Sequence, residues 1–90
     1  MDQTARIAVH GRVQGVWFRA SAREEAVRLG LTGFVQNEND GSVCIEATGS
    51  PEQIKALIKW CRNGPRLAQV TSVSVLELSI TPFDGFEIRR

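Results

Sequence analysis

The chain has one histidine and only two cysteines, Cys44 and Cys61. A lone imidazole and two scattered thiols are too few for a zinc site, and the cysteines lie too far apart for a C-x-x-C redox pair. Reduced thiols are expected, with no metal and no other cofactor. Long apolar runs are missing too. Nothing approaches the roughly 20 residues a spanning helix needs, and the opening "MDQTARIAVH" lacks the apolar block of a secretory leader. A cytoplasmic protein without membrane association is expected. Nor is there an excess of one charge: the formal net charge is +1, which argues against the diffuse basic footprint of nucleic-acid binders. Internal repeats, low-complexity segments and linkers are also absent.

What is present is ordinary globular composition. With 42% hydrophobic and 23% charged residues, 90 residues suffice for one domain over 1–90 with a real core, and not for two. From Thr4 to His10 the chain alternates, with Ala5, Ile7 and Val9 on one face and Thr4, Arg6, Ala8 and His10 on the other, the pattern of a half-buried strand. In "RASAREEAVRLG", Ala22, Ala26 and Leu29 recur at helical spacing before Gly30 stops the run. "LTGFVQN" and "SVCIEAT" read as strands two and three, joined at Asp40-Gly41, where glycine accepts the positive φ a hairpin turn needs. Ser50, Pro51 and Gln53 form a capping-box start to a second helix, whose stripe is Ile54, Leu57, Ile58 and Cys61 and whose end is Gly64-Pro65. "VTSVSVLEL" is a fourth strand, and "FEIRR" could add a fifth.

The order β-α-β-β-α-β, with each helix apolar on one side, gives an α+β sandwich. It is the ferredoxin-like split βαβ layout: an antiparallel sheet with both helices on one face. Cys44 then faces away from the helices and Cys61 toward the sheet, so no disulfide is expected between them. Many functions share this fold, so function has to come from a site.

The stretch "GRVQGVWFR", residues 11–19, links strand one to helix one. Backbone N–H groups at a helix start have no intrahelical partners, and the helix dipole draws anions there. Gly11 and Gly15 let the loop curl so that several N–H groups point inward. Arg19 in the first helical turn opposes the dipole unless something negative sits beside it, and the loop contains no acid. A bound phosphate gripped by the guanidinium would supply that charge. Spacing alone favours a plain connection carrying a solvated arginine over anion binding, and the absence of G-x-G-x-x-G or a G-K-[ST] ending gives no support to a nucleotide. In a right-handed split βαβ, strands one and two run parallel with strand three between them, so their C-terminal ends share one sheet edge. That places Asn37 near the loop, where an amide can donate to a phosphoryl oxygen and accept from a water, although by itself the residue reads more simply as an asparagine that begins a turn.

"GRVQGVWFR" together with "GFVQNENDGSV" resembles the acylphosphatases, small ferredoxin-like enzymes with the signatures G-[RK]-V-Q-G-V-x-[FY]-R and G-x-V-[RK]-N-x-x-D-G-x-V. "GPRLAQVTSV" is similar to that family's usual entry into strand four, so the resemblance spans nearly the whole chain. It implies hydrolysis of an acyl phosphate to a carboxylate and inorganic phosphate. Backbone amides of Gln14, Gly15, Val16, Trp17, Phe18 and Arg19 would cradle the phosphoryl group, Arg19 would balance its charge, and Asn37 would position the attacking water. Gln36 and Glu38 depart from the pattern, standing where the family usually has a basic and a small polar residue; Glu38 is expected to bring negative charge beside the site.

His10, the only imidazole, is expected to be an exposed strand residue on the face away from the helices. Trp17 and Phe18 either wall the site or pack, Trp60 packs on helix two, and Arg12 either helps attract anions or, more simply, is a solvated loop cation. Two rival functions are weaker. An RNA-binding module of this strand order needs aromatics on strand three, and "SVCIEAT" has none. A non-catalytic domain that binds a small anion would share Arg19 but has little use for a water-orienting amide at Asn37. The expected partners are therefore a small acyl phosphate and its phosphate product, with no nucleic acid, and the protein is expected to act as a monomer.

Overall fold

Alternation and helical periodicity resolve into seven elements. The computed structural model describes residues 1–90, with β1 over Gln3–Arg12, α1 over Phe18–Arg28, β2 over Thr32–Asn37, β3 over Val43–Gly49, α2 over Pro51–Asn63, β4 over Gln69–Leu78 and β5 over Phe86–Arg89. The strands form one sheet in the order β4-β1-β3-β2-β5. β1 pairs antiparallel with β3 and β4, and β2 antiparallel with β3. The expected split βαβ arrangement is present, with β3 between the parallel strands β1 and β2. The fifth strand departs from a purely antiparallel sheet: β5 joins the outer side of β2 in parallel, pairing Gly33 with Phe86 and Gln36 with Arg89.

Both helices cover the face onto which Ile7, Val9, Val35 and Ile45 project, and these pack with Ala22, Ala26, Ile54 and Leu57 in one core cluster. α1 lies over β2 and β5, and α2 over β4 and β1. Leu57 is fully buried, so truncating it to alanine carries the usual core cost of about 2–5 kcal/mol. Cys61 sits in this core and Cys44 on the opposite face; both are free and buried. Burial pushes the Cys61 thiol up to about 12, which keeps it protonated and inert.

Two local differences from the sequence reading have physical causes. β1 continues past His10 to Arg12 because a bulge between His10 and Gly11 lets Gly11 pair with Val70. Gly11 has φ 126°, and a Cβ there would lie 2.1 Å from the Gln69 carbonyl oxygen, so no other residue fits so close to β4. His10 is half-buried beside this bulge rather than fully exposed.

The outer sheet face is partly covered. The segment after β4 folds back so that the Thr81 N–H donates to Thr4 Oγ1 at 2.8 Å and Thr48 Oγ1 donates to the Thr81 carbonyl at 2.7 Å. Phe83 packs edge-on against Phe34 with ring centroids 5.9 Å apart. Thr4 and Phe34 are consequently buried although they point away from the helices.

Candidate active site

The connection from β1 to α1 is pinned from below. Val13 and Phe18 are buried, Val16 packs against the core, and Phe18 meets Trp60 with centroids 5.3 Å apart. Between these anchors the chain reverses through Gly15 at φ 74° and Trp17 at φ 66°, ψ 20°. A side chain on Gly15 would meet nothing within 4 Å, so its backbone angle, not crowding, is what favours glycine. Trp17 is the one non-glycine residue at positive φ. A bulky residue held there costs of the order of 1–2 kcal/mol, which persists because the anchors on both sides dictate the turn.

Trp17 is also the N-cap of α1, and its side chain caps nothing. No acid stands in the first turn, and the first intrahelical bond is Ser21 N–H to the Trp17 carbonyl at 3.0 Å. The amides of Phe18, Arg19 and Ala20 therefore have no partner within the helix.

The loop is tied to the β2–β3 hairpin by Gln14. Its Nε2 donates to the Glu38 carbonyl at 2.8 Å and to the Ser42 carbonyl at 2.9 Å. The hairpin is closed by Glu38 N–H to the Ser42 carbonyl at 2.9 Å, and Asp40 Oδ1 accepts from both the N–H and the hydroxyl of Ser42. Those two bonds hold the Asp40 carboxyl below its ordinary range. At the root of this hairpin Asn37 ends β2, paired with Val43. Its Oδ1 is buried and has no hydrogen-bond partner in the chain, an acceptor that needs a donor from outside.

These elements surround one cavity of about 420 Å³. Gly15, Trp17, Phe18, Arg19 and Ala20 line it from the loop and first helical turn, and Val13 from below. Asn37 lines it from the end of β2, and Ile88 and Arg90 from the end of β5. Two arginine side chains and no carboxylate side chain therefore line the space. Arg19 Nη1 donates to the Arg89 carbonyl at 3.3 Å, and one turn later Arg23 Nε donates to the Phe86 carbonyl at 2.9 Å. The pair fastens β5 alongside α1, and Arg19 retains further N–H donors of its five for a ligand.

Of the residues expected in the site, Gly15, Trp17, Phe18, Arg19 and Asn37 come together at this cavity; Gln14 and Val16 do not line it. Gln14 acts as the clamp just described and Val16 packs inward. Arg12 and His10 lie outside the cavity lining. The charge expected from Glu38 is directed elsewhere. Gln36 Nε2 donates to Glu38 Oε2 at 2.7 Å, and the carboxylate lies close enough to Cys44, on the outer face, to help burial push that thiol up. The two departures from the signature thus satisfy each other. Ile88 and Arg90 were not anticipated, because a site role for the last strand depends on its parallel pairing with β2, which brings the C-terminal ends of both strands to one edge.

Known proteins resemble this chain in sequence and in fold. The acylphosphatase family model matches residues 5–88. An acylphosphatase of Methylococcus capsulatus is 51% identical over 85 residues, covering 93% of this chain and 92% of that protein. One from Pseudomonas paraeruginosa is 50% identical, covering 96% and 99% respectively. The crystal structure of acylphosphatase from Bacillus subtilis superposes with a TM-score of 0.94 at 37% identity, covering 98% of this chain and 99% of that one.

Proposed function

Because the chain belongs to the acylphosphatase family it hydrolyses acyl phosphates to a carboxylate and inorganic phosphate, and we propose that the cavity at the start of α1 is where it does so. The observation that carries this reading is the meeting, in one cavity, of an uncapped helix start, Arg19 and the unpartnered Asn37 Oδ1. In this reading the backbone amides of the 14–19 loop and the first turn receive the phosphoryl oxygens. The Arg19 guanidinium neutralises them through paired hydrogen bonds. Asn37 accepts a hydrogen bond from a water and so holds it in line with the leaving carboxylate.

The water oxygen forms the new P–O bond, the bond from phosphorus to the acyl oxygen breaks with its electron pair, and the carboxylate departs. The water's proton passes to a phosphate oxygen, since no carboxylate or imidazole side chain lines the cavity. Placement and charge stabilisation are the main demands of phosphoryl transfer, and they are what these groups offer.

The roles separate kinetically. With an aromatic acyl phosphate followed by its ultraviolet decay in the presence of a chelator, Arg19→Ala should raise KM and lower kcat/KM by about 10²–10³. Asn37→Ala should lower kcat by a similar factor of about 10²–10³ with little change in KM. Phosphate binding by the parent without turnover would make the cavity a receptor site and overturn the reading. We infer also that the protein works as a monomer in the cytoplasm, without nucleic-acid or membrane partners. Two free, buried thiols accord with a reducing compartment.

A further inference from the structure

We propose that Trp17 and Ile88 form an acyl-group wall, so that this enzyme favours acyl phosphates with an aromatic or bulky apolar acyl half over those with a short one. The inference rests on the preceding reading of the cavity as the active site. A volume of about 420 Å³ falls within the range of sites for whole organic ligands, about 300–1,000 Å³, so a phosphoryl group at the amides and Arg19 leaves space beside it. Trp17 and Ile88 line that same space from opposite elements, and both are exposed for their type, at 76% and 37%.

The conformation of Trp17 sharpens the point. The backbone at this position is left-handed, where glycine or asparagine would sit with less strain. The neighbouring Val16 and Phe18 both turn into the core, so the same turn sends the indole outward. Its side chain caps no helix amide and gains little packing within the chain. Its apolar surface is recovered only when something apolar fills the cavity. The other tryptophan behaves oppositely: Trp60 is spent on Phe18.

The test is the ratio of kcat/KM for benzoyl phosphate to that for acetyl phosphate. Trp17→Gly, which suits the left-handed backbone, should lower this ratio about tenfold, corresponding to removal of roughly 50–60 Å² of apolar contact. Ile88→Ala should lower it in the same direction by about threefold, losing roughly half that area, and Trp17→Phe should hold it near the parental value. Equal losses on both substrates, or an unchanged ratio, overturn the proposal. Arg19→Ala measured alongside separates the two levels. If it retains the parental rate, the cavity is not the active site and both readings fall. If it is inactive while Trp17→Gly keeps the parental ratio, only the acyl wall falls.

Discussion

Two helices lie on the same face of the same sheet, yet their first turns are built on opposite plans. α2 is closed by its own sequence. Ser50 Oγ accepts from the Gln53 N–H at 3.2 Å, and Gln53 Oε1 accepts from the Ser50 N–H at 2.7 Å. Pro51 occupies the first position and Glu52 adds an acid to the first turn. α1 has none of these. Its cap is a left-handed tryptophan, its first turn has no acid, and Arg19 places a cation against the positive end of the dipole. A missing cap costs about 1 kcal/mol and a misplaced cation about 0.3–1 kcal/mol, in addition to the strain at Trp17.

Three unfavourable choices within one turn are not noise. They leave amides without partners and guanidinium donors to spare, which the proposed phosphoryl group would complete, and the buried anchors Val13 and Phe18 keep the turn in place without it. One helix start is satisfied by its own sequence, and the other is left open for the proposed ligand.

The difference between the two helix starts shrinks when α1 is given what α2 has. Ala20 lines the cavity in the first turn, and Ala20→Glu puts a carboxylate there. The helix should gain about 0.3–1 kcal/mol, seen as a small rise in Tm. Like-charge repulsion of the phosphoryl group should meanwhile cut kcat/KM about 100-fold or more. A variant both more stable and fully active would show that no anion visits α1.

A second way targets the tie between loop and hairpin. Gln14→Ala removes two hydrogen bonds and should cost about 1–3 kcal/mol by denaturant titration. Loosening Asn37 relative to the amides should lower kcat/KM about tenfold. The smallest effect falls on the other helix. Ser50→Ala should cost about 1 kcal/mol, lowering Tm by about 4–8 °C for a domain of this size, with kcat/KM at the parental value.

Much of this contrast was legible without coordinates. The capping box of α2 stands in consecutive letters, and the alternation of β1 and β3 follows from one face being buried. Strand order alone places Arg19 and Asn37 at one edge, since parallel strands flanking β3 must end together. What escaped reading depends on contacts distant in sequence. A four-residue β5 carries no signal of its partner, so the contribution of Ile88 and Arg90 to the cavity was invisible. The fold-back through Thr81 and Phe83 has no periodicity, which is why the burial of Thr4, set on the face with Arg6 and His10, and of Phe34 could not be foreseen. Gln14 looks like one more member of the loop until its amide is seen reaching the carbonyls of Glu38 and Ser42. Gln36 and Glu38 look like two separate departures until their side chains are seen to bond to each other.

The most direct test is a titration of the ¹⁵N-labelled protein with inorganic phosphate, followed by amide chemical shifts. The account predicts saturable shifts at the amides of Gly15 through Ala20 and at the Asn37 side chain, none at Ser50 through Ile54, and their loss in Arg19→Ala. Shifts centred on the start of α2, or a response at α1 that survives Arg19→Ala unchanged, would contradict it.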